Sequence, residues 1–263
     1  LCANMRAVAA ADYTALRAEN GGRLAERQPF LHTVRPVVVF TFGGLSKQEP
    51  LDDILHELMQ RNMRGTFFVT ERELQRNGAN IERIVAAGQD LGIGLRPEEG
   101  ADFAAYCAQI ERIQTALQTR YGVETNVVRQ MSGADEEAIN EAVSAMKCVL
   151  VGQGLNVVQS KHKEVQTAAE LMPQLFGRWT TSLNRGEIVY LRMDFYTRSE
   201  LTAEIFRTIL AEKLDNIRYT APASSNAQMQ EDHQSSGYTI ASVQDVLADK
   251  SAQYSYPVDM NDL

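Results

Sequence analysis

Short apolar runs alternate with amphipathic stretches along most of this chain. The run from Val37 to Phe42 is β-branched or aromatic at almost every position, which is typical of a strand buried on both faces of a parallel sheet. Comparable runs predict further strands at 64–70, 90–94, 127–129, 148–151, 188–192 and 238–240.

Apolar residues at helical spacing predict a helix between most neighbouring strands. A preceding helix over 5–19 is expected to end at Asn20-Gly21-Gly22. In the helix over 51–62, Asp52 and Asp53 are placed in the first turn, where the macrodipole favours acids. The other predicted helices cover 80–87, 102–121, 135–145, 164–182, 199–214 and 243–249, and 221–236 reads as an inserted surface loop.

Strands separated by single helices indicate an α/β fold whose parallel sheet is closed or nearly closed into a (β/α) barrel. We predict an N-terminal helix and linker over 1–35, one barrel domain over 36–250 and a tail over 251–263.

Charge and hydropathy exclude two classes of partner. The chain has 26 Lys and Arg against 34 Asp and Glu, a net charge of −8, so it offers no basic field for nucleic acid. No run approaches the ~20 apolar residues that span a bilayer.

The three cysteines lack the spacing of a zinc knuckle or a redox pair. Cys107 and Cys148 lie in apolar surroundings that predict buried thiols, and the redox compartment stays open. Leu1-Cys2 is either the end of a lipoprotein signal or an arbitrary boundary. Because the chain begins without Met, we expect a removed export signal and a secreted or envelope-attached protein.

The order of these signals resembles the polysaccharide deacetylases, or NodB homology domain. Val38 to Gly44 stands where that family reads T-F-D-D-G-P, and Gly65-Thr66-Phe67-Phe68-Val69-Thr70 matches A-T-F-F-V. Arg129 to Gly133 stands at R-x-P-x-G, and Gly186 to Leu191 resembles the strand G-x-I-x-L-x-H-D. The resemblance covers 36 to about 248 and implies a distorted (β/α) barrel of the deacetylase type.

The resemblance also implies a metal site that this sequence lacks. In the family, an Asp and two His hold a divalent metal, usually zinc, while a second Asp acts as base and a late His as acid. A metal-bound water then attacks the N-acetyl carbonyl, and the acid protonates the leaving amine. Here the two aspartates fall on Gly43 and Gly44, the H-x-x-x-H segment runs from Gly94 to Glu98, and the late His falls on Arg192.

Arg129 alone keeps the residue type of the family, and the alignment implies that Arg96, Arg129 and Arg192 lie near carboxyl ends of strands. Such a pocket either favours an anionic or hydroxyl-rich group, or one arginine pairs with Asp194 or Asp90 and fills the former metal position. We expect no metal and no other cofactor, and no phosphate loop follows Gly43-Gly44.

An active site could be rebuilt from other residues in two ways. His32 lies in a linker, His56 on an exposed helix face, His162 in a polar loop and His233 in the insertion, and none has a second His at ligand spacing. A carboxylate pair could act as acid and base, although solvated loop residues and helix caps are the simpler interpretation. The carboxylates concerned are Asp90, Glu98, Glu99, Asp102 and Asp194.

The sequence therefore predicts a catalytically inactive deacetylase-like domain that acts as a glycan-binding or scaffolding module of the cell envelope. Polysaccharide, peptidoglycan, a protein partner or a second copy are the expected partners. The alternative is an active metal-dependent deacetylase or other hydrolase of N-acetylated glycans with relocated residues. A third hypothesis makes the chain the folding partner or dimer subunit of an active paralogue.

Overall fold

The computed structural model describes residues 13–177, 183–215 and 238–249. The chain divides into two compact units. The first comprises 13–28, Phe67–Ala86 and Leu91–Gly152, and the second comprises Pro29–Thr66, Ala87–Asp90 and the described residues from Gln153 onward. Cys2, His233 and the predicted insertion at 221–236 lie outside the described residues, and the domain boundaries at 35 and 250 stay predictions.

The first unit contains parallel strands flanked by helices. The strands β2 (Thr66–Val69), β3 (Asp90–Leu95), β4 (Val127–Gln130) and β5 (Val149–Leu150) run in the order β5-β4-β3-β2. The first residues of β2 and β3, Thr66 and Asp90, belong to the second unit. In the parallel β3–β4 register, Gly94 pairs with Arg129. The helices are α1 (13–20), α3 (Glu71–Arg76), α4 (Gly78–Ala86), α5 (Phe103–Tyr121) and α6 (Glu137–Ala145).

Helix ends in this unit follow from local chemistry. Asp102 caps α5 by accepting a hydrogen bond from Ala105 N at 2.9 Å, and Gly122 ends the helix at φ +67°. The predicted N-terminal helix ends as expected, because Gly21 and Gly22 both take positive φ.

The second unit is built on β1 (Val37–Gly43). This strand pairs in parallel with β7 (Ile188–Arg192) and with β8 (Thr239–Ile240), and β7 also pairs with β6 (Leu155–Asn156). Every residue of β1 is buried, as the continuous apolar run predicts. The helices are α2 (Gln48–Gln60), α7 (Ala168–Phe176), α8 (Leu201–Ile209) and α9 (Val243–Ala248), and α8 continues as a π-helix over Leu210–Asp215.

The core of this unit lies between β1 and α8. The rings of Phe40 and Phe42 meet the ring of Phe206 edge-on, with centroids 5.0 and 5.5 Å apart. A side chain at Gly65 would lie 2.8 Å from the Phe42 ring, so this packing requires a glycine there.

The structure corrects two predictions about helix starts. Helix α2 begins at Gln48, so Asp52 and Asp53 lie beyond the first turn, and Glu49 is the acidic residue in it. The helix predicted from 164 begins at Ala168, where Thr167 caps it by accepting a hydrogen bond from Glu170 N. In the part of the chain that the structure describes, no helix is long and apolar enough to cross a membrane.

Candidate functional site

The carboxyl ends of β1 and β7 bring together four of the predicted site residues. Gly43 ends β1 opposite Arg192, and Met193 N donates to Gly43 O at 3.0 Å. Gly44 follows with φ +72°, a backbone conformation that favours glycine. The chain therefore turns sharply where the sequence has its two glycines.

The carboxylate of Asp194 fills the space above the Cα of Gly44. A Cβ built on Gly44 would lie 2.6 Å from Asp194 Cγ, 2.9 Å from its backbone N and closer still to Oδ1. Real Cβ atoms do not approach other heavy atoms so closely. Residue 44 can thus carry no side chain while Asp194 holds this position. We call the space above the Cα of Gly44, which the Asp194 carboxylate fills, the Gly44 recess.

Arg192 holds Asp194 in place. Arg192 Nε donates to Asp194 Oδ1 at 2.5 Å, and a second guanidinium nitrogen lies 3.4 Å from Oδ2. Thr202 Oγ1 donates to Arg192 O at 3.0 Å, and Met193 between the two charges is buried. The side chains of Arg192 and Asp194 are 41 % and 28 % exposed, so solvent reaches the ion pair.

These strand-end residues do not fit a divalent metal. Glycines at 43 and 44 supply no ligand atom, and the nearby carboxylate of Asp194 already neutralises a guanidinium. Among the described residues, no group of three His, Cys, Asp or Glu side chains could hold a metal ion. We therefore derive no reaction step through a metal.

In the first unit, the end of β3 is also crowded at Gly94, although less so than the space at Gly44. A Cβ at this position would lie 3.0 Å from Thr70 Cγ2 and 3.1 Å from Met131 Cγ. An imidazole there would require both neighbours to move.

The loop after β3 is fixed through its backbone, which leaves its charges in solvent. Gln109, buried on α5, accepts from Arg96 N at 2.9 Å and donates to Arg96 O at 3.3 Å. Its Nε2 also lies 3.4 Å from Glu98 Oε1. The side chains of Arg96 and Glu98 are both exposed.

Arg129 is a buried residue whose guanidinium donates to a backbone carbonyl. It is 7 % exposed, and its Nη1 donates to Gly152 O at 2.9 Å. The next residue, Gln130, donates to Ser132 O and Ala134 O, which fixes the turn containing Gly133. The observed contacts of Arg129 thus support the strand ends of β4 and β5.

The remaining carboxylates are used in local contacts. Asp90 starts β3 and forms an ion pair with Arg64 while accepting from Ser242 Oγ at 2.5 Å. Asp102 is the α5 cap and Glu99 is an exposed loop residue. Asp90 and Asp194, which share a unit, belong to separate ion pairs.

His162 lies in the loop where the sequence places it, but it is completely buried in a 3₁₀ turn over Ser160–His162. His56 is exposed on its helix as expected, and His32 is exposed as well. The Nδ1 of His162 lies 3.4 Å from Val157 O, which also accepts from Tyr196 Oη at 3.2 Å. The loop is therefore folded around this imidazole, although its sequence is polar.

Comparison with solved structures establishes the fold. The chain is similar to a mutant of BA3943 from Bacillus anthracis, a CE4 family pseudoenzyme with restored enzymatic activity. The TM-score is 0.60, with 17 % identity over 82 % of this chain and 69 % of that chain. It is also similar to the peptidoglycan deacetylase PdaC from Bacillus subtilis, at TM-score 0.55 and 14 % identity over 84 % and 92 % of the two chains. A family 4 carbohydrate esterase from Bacillus anthracis gives TM-score 0.53 and 18 % identity over 89 % and 91 %.

No protein-family model and no curated protein matches the sequence. At these identities the structural likeness carries the fold alone. The predicted α/β class, a (β/α) barrel of the polysaccharide deacetylase type, is confirmed.

Proposed function

We propose that this protein is a catalytically inactive deacetylase-like domain that binds a glycan, polysaccharide or peptidoglycan, in the cell envelope. The observation that carries the proposal is the Gly44 recess, where an Arg192–Asp194 ion pair stands in the place that the resemblance assigns to metal chemistry. A guanidinium does not donate a proton near neutral pH, so Arg192 is unsuited to the role of the acid.

The fold supports retention of a binding role. Neighbours of this fold include peptidoglycan deacetylases and a CE4 family pseudoenzyme. The buried strands supply the stability of such a domain, whereas residues at strand ends are free to change once they no longer serve chemistry. Each unit offers its own proposed ligand surface of strand-end side chains that solvent reaches: Arg96 and Glu98 in the first unit, and Arg192 and Asp194 in the second.

Metal content and turnover test the loss of activity. Protein purified without chelator is expected to contain zinc and other transition metals only at background, and to release no acetate from acetylated chitin or peptidoglycan oligomers. Near-stoichiometric metal together with acetate release would overturn the proposal in favour of an active hydrolase.

Sedimentation with insoluble peptidoglycan and chitin tests binding. We expect the protein to sediment with at least one of them, and the variants R96Q and R192Q to sediment less. The matched control is R207Q, which changes an exposed arginine on α8 whose Nη1 lies 3.5 Å from Asp53 Oδ2. Failure to sediment with either glycan would reject the binding role.

A further inference from the structure

We infer that the Gly44 recess is a carboxylate-binding subsite for an acidic glycan, and that Asp194 occupies it as an internal competitor. This inference rests on the proposed function and names the ligand chemistry. The recess already accepts a carboxylate, because the Asp194 side chain lies within it and Arg192 supplies the charge that binds it. A uronic acid unit carries the same group on a sugar ring.

The backbone at Gly44 creates the space for this group. The absence of a side chain at residue 44 is what admits the carboxylate, since a Cβ there would lie 2.6 Å from Asp194 Cγ. The positive φ of Gly44 also disfavours every residue with a side chain. A glycine at position 44 is therefore what leaves room for a carboxylate.

The energetics permit exchange of Asp194 for a ligand. Ion pairs as exposed as this one contribute little to stability, so their partners separate at low cost. Arg192 presents a planar fork of donors suited to a carboxylate, and 41 % of its side chain is exposed before any movement. A ligand carboxylate can take the place of Asp194 without unfolding the strand ends.

Neutral glycans gain less from this contact. A hydroxyl group offers Arg192 one neutral acceptor, whereas a carboxylate offers two charged oxygens that match the two nitrogens of the guanidinium fork. The subsite thus selects acidic over neutral sugars.

Removal of the competitor tests the inference. Trigalacturonate binding is measured by calorimetry for wild type and D194A, with a neutral chitotriose as the comparison ligand. If Asp194 fills the recess about nine-tenths of the time, its removal raises the apparent affinity about tenfold. We expect this gain for trigalacturonate and none for chitotriose.

Second-site variants identify the recess as the place of binding. R192Q/D194A and G44A/D194A are expected to lose the gain, because the first lacks the cation and the second places a methyl group in the recess. G88A/D194A is the matched control: Gly88 has φ +71°, in the same unit, and a Cβ there meets nothing within 4 Å. If R192Q/D194A folds poorly, R192K/D194A takes its place in the test. This variant keeps the charge and is expected to retain part of the gain in trigalacturonate affinity.

The inference is overturned if D194A binds trigalacturonate no better than wild type, or if R192Q/D194A or G44A/D194A keeps the gain. Equal gain for chitotriose, or for a short peptide whose only carboxylate is its C-terminus, rejects an acidic glycan as the ligand. None of these results concerns metal content or sedimentation with neutral glycan. The proposed function is therefore tested independently of this inference.

Discussion

The carboxylate of Asp194 lies where the side chain of residue 44 would begin. Two residues that are 150 positions apart in the chain therefore exclude one another, since a side chain at 44 and the observed Asp194 conformation cannot coexist. This relationship makes the effect of a substitution at Gly44 depend on residue 194.

G44A is predicted to lower the free energy of unfolding through two separable terms. Left-handed backbone costs a residue with a side chain ~1–2 kcal/mol, and overpacking against Asp194 adds ~1–3 kcal/mol. Denaturant titration of G44A, D194A and the double variant measures the coupling. We expect D194A to recover the overpacking term only.

G88A separates backbone strain from the contact. Gly88 has φ +71° with open space around it, so only the backbone cost applies. If G44A is no more destabilising than G88A, or if D194A recovers nothing in the G44A background, then Asp194 does not hold the recess.

Hydrophobic patterning predicted most strands and helices because burial determines them directly. Every position of β1 is buried, and its sequence is apolar almost throughout. In contrast, β6 was missed because Leu155–Asn156 has no pattern of its own and exists only through pairing with Val189 and Tyr190 of β7. Short strands of this kind depend on their neighbours rather than on their own residues.

Side-chain contacts between distant segments were the part that sequence could not supply. The family resemblance implied that Gly44 and Arg192 lie near strand ends and left open whether an arginine pairs with Asp194 or with Asp90. The position of the Asp194 carboxylate in the Gly44 recess is set by the folded chain and has no signal in the sequence. The complete burial of His162 is another feature of this kind, because its loop sequence is polar and its Nδ1 lies near the Val157 carbonyl that the distant Tyr196 also contacts.

Glu187 is predicted to make stability fall as pH rises. Burial raises the pKa of this carboxyl, and the hydrogen bond from Asn184 N at 2.7 Å opposes the shift. The folded state therefore binds more protons than the unfolded state between the ordinary glutamate pKa and the raised one, so stability decreases across that window. E187Q should remove this slope in thermal melts measured as a function of pH.

The control for this prediction is E99Q, which changes an exposed glutamate in a loop. Its pH profile should follow that of wild type. Parallel profiles for E187Q and wild type across the acidic range would show that burial does not disfavour the Glu187 carboxylate.

Both described cysteines are predicted to be unreactive in the folded protein. Burial raises the pKa of the Cys107 and Cys148 thiols to about 12, so almost no thiolate exists near pH 8. In a C2S background, alkylation by iodoacetamide should be at least about 100-fold slower than after unfolding, when the thiol pKa returns to about 8.5. The control variant S46C places a thiol at an exposed position, which should be alkylated rapidly. Comparable alkylation rates for Cys107 and the S46C thiol in the folded protein would contradict the prediction.

The loop that presents Arg96 and Glu98 is predicted to depend on one buried amide. Gln109 is 3 % exposed and bonds both backbone groups of Arg96, so Q109L leaves these groups without their partners. Loss of such hydrogen bonds costs ~1–3 kcal/mol for a buried group. We expect this decrease in the free energy of unfolding in denaturant titration, together with faster hydrogen exchange at the Arg96 amide.

The control is Q118L, on the exposed face of the same helix, which should change the free energy of unfolding by no more than ~0.5 kcal/mol. Unchanged hydrogen exchange at the Arg96 amide in Q109L would mean that other contacts hold the loop. Gln109 would then have no part in positioning Arg96 and Glu98.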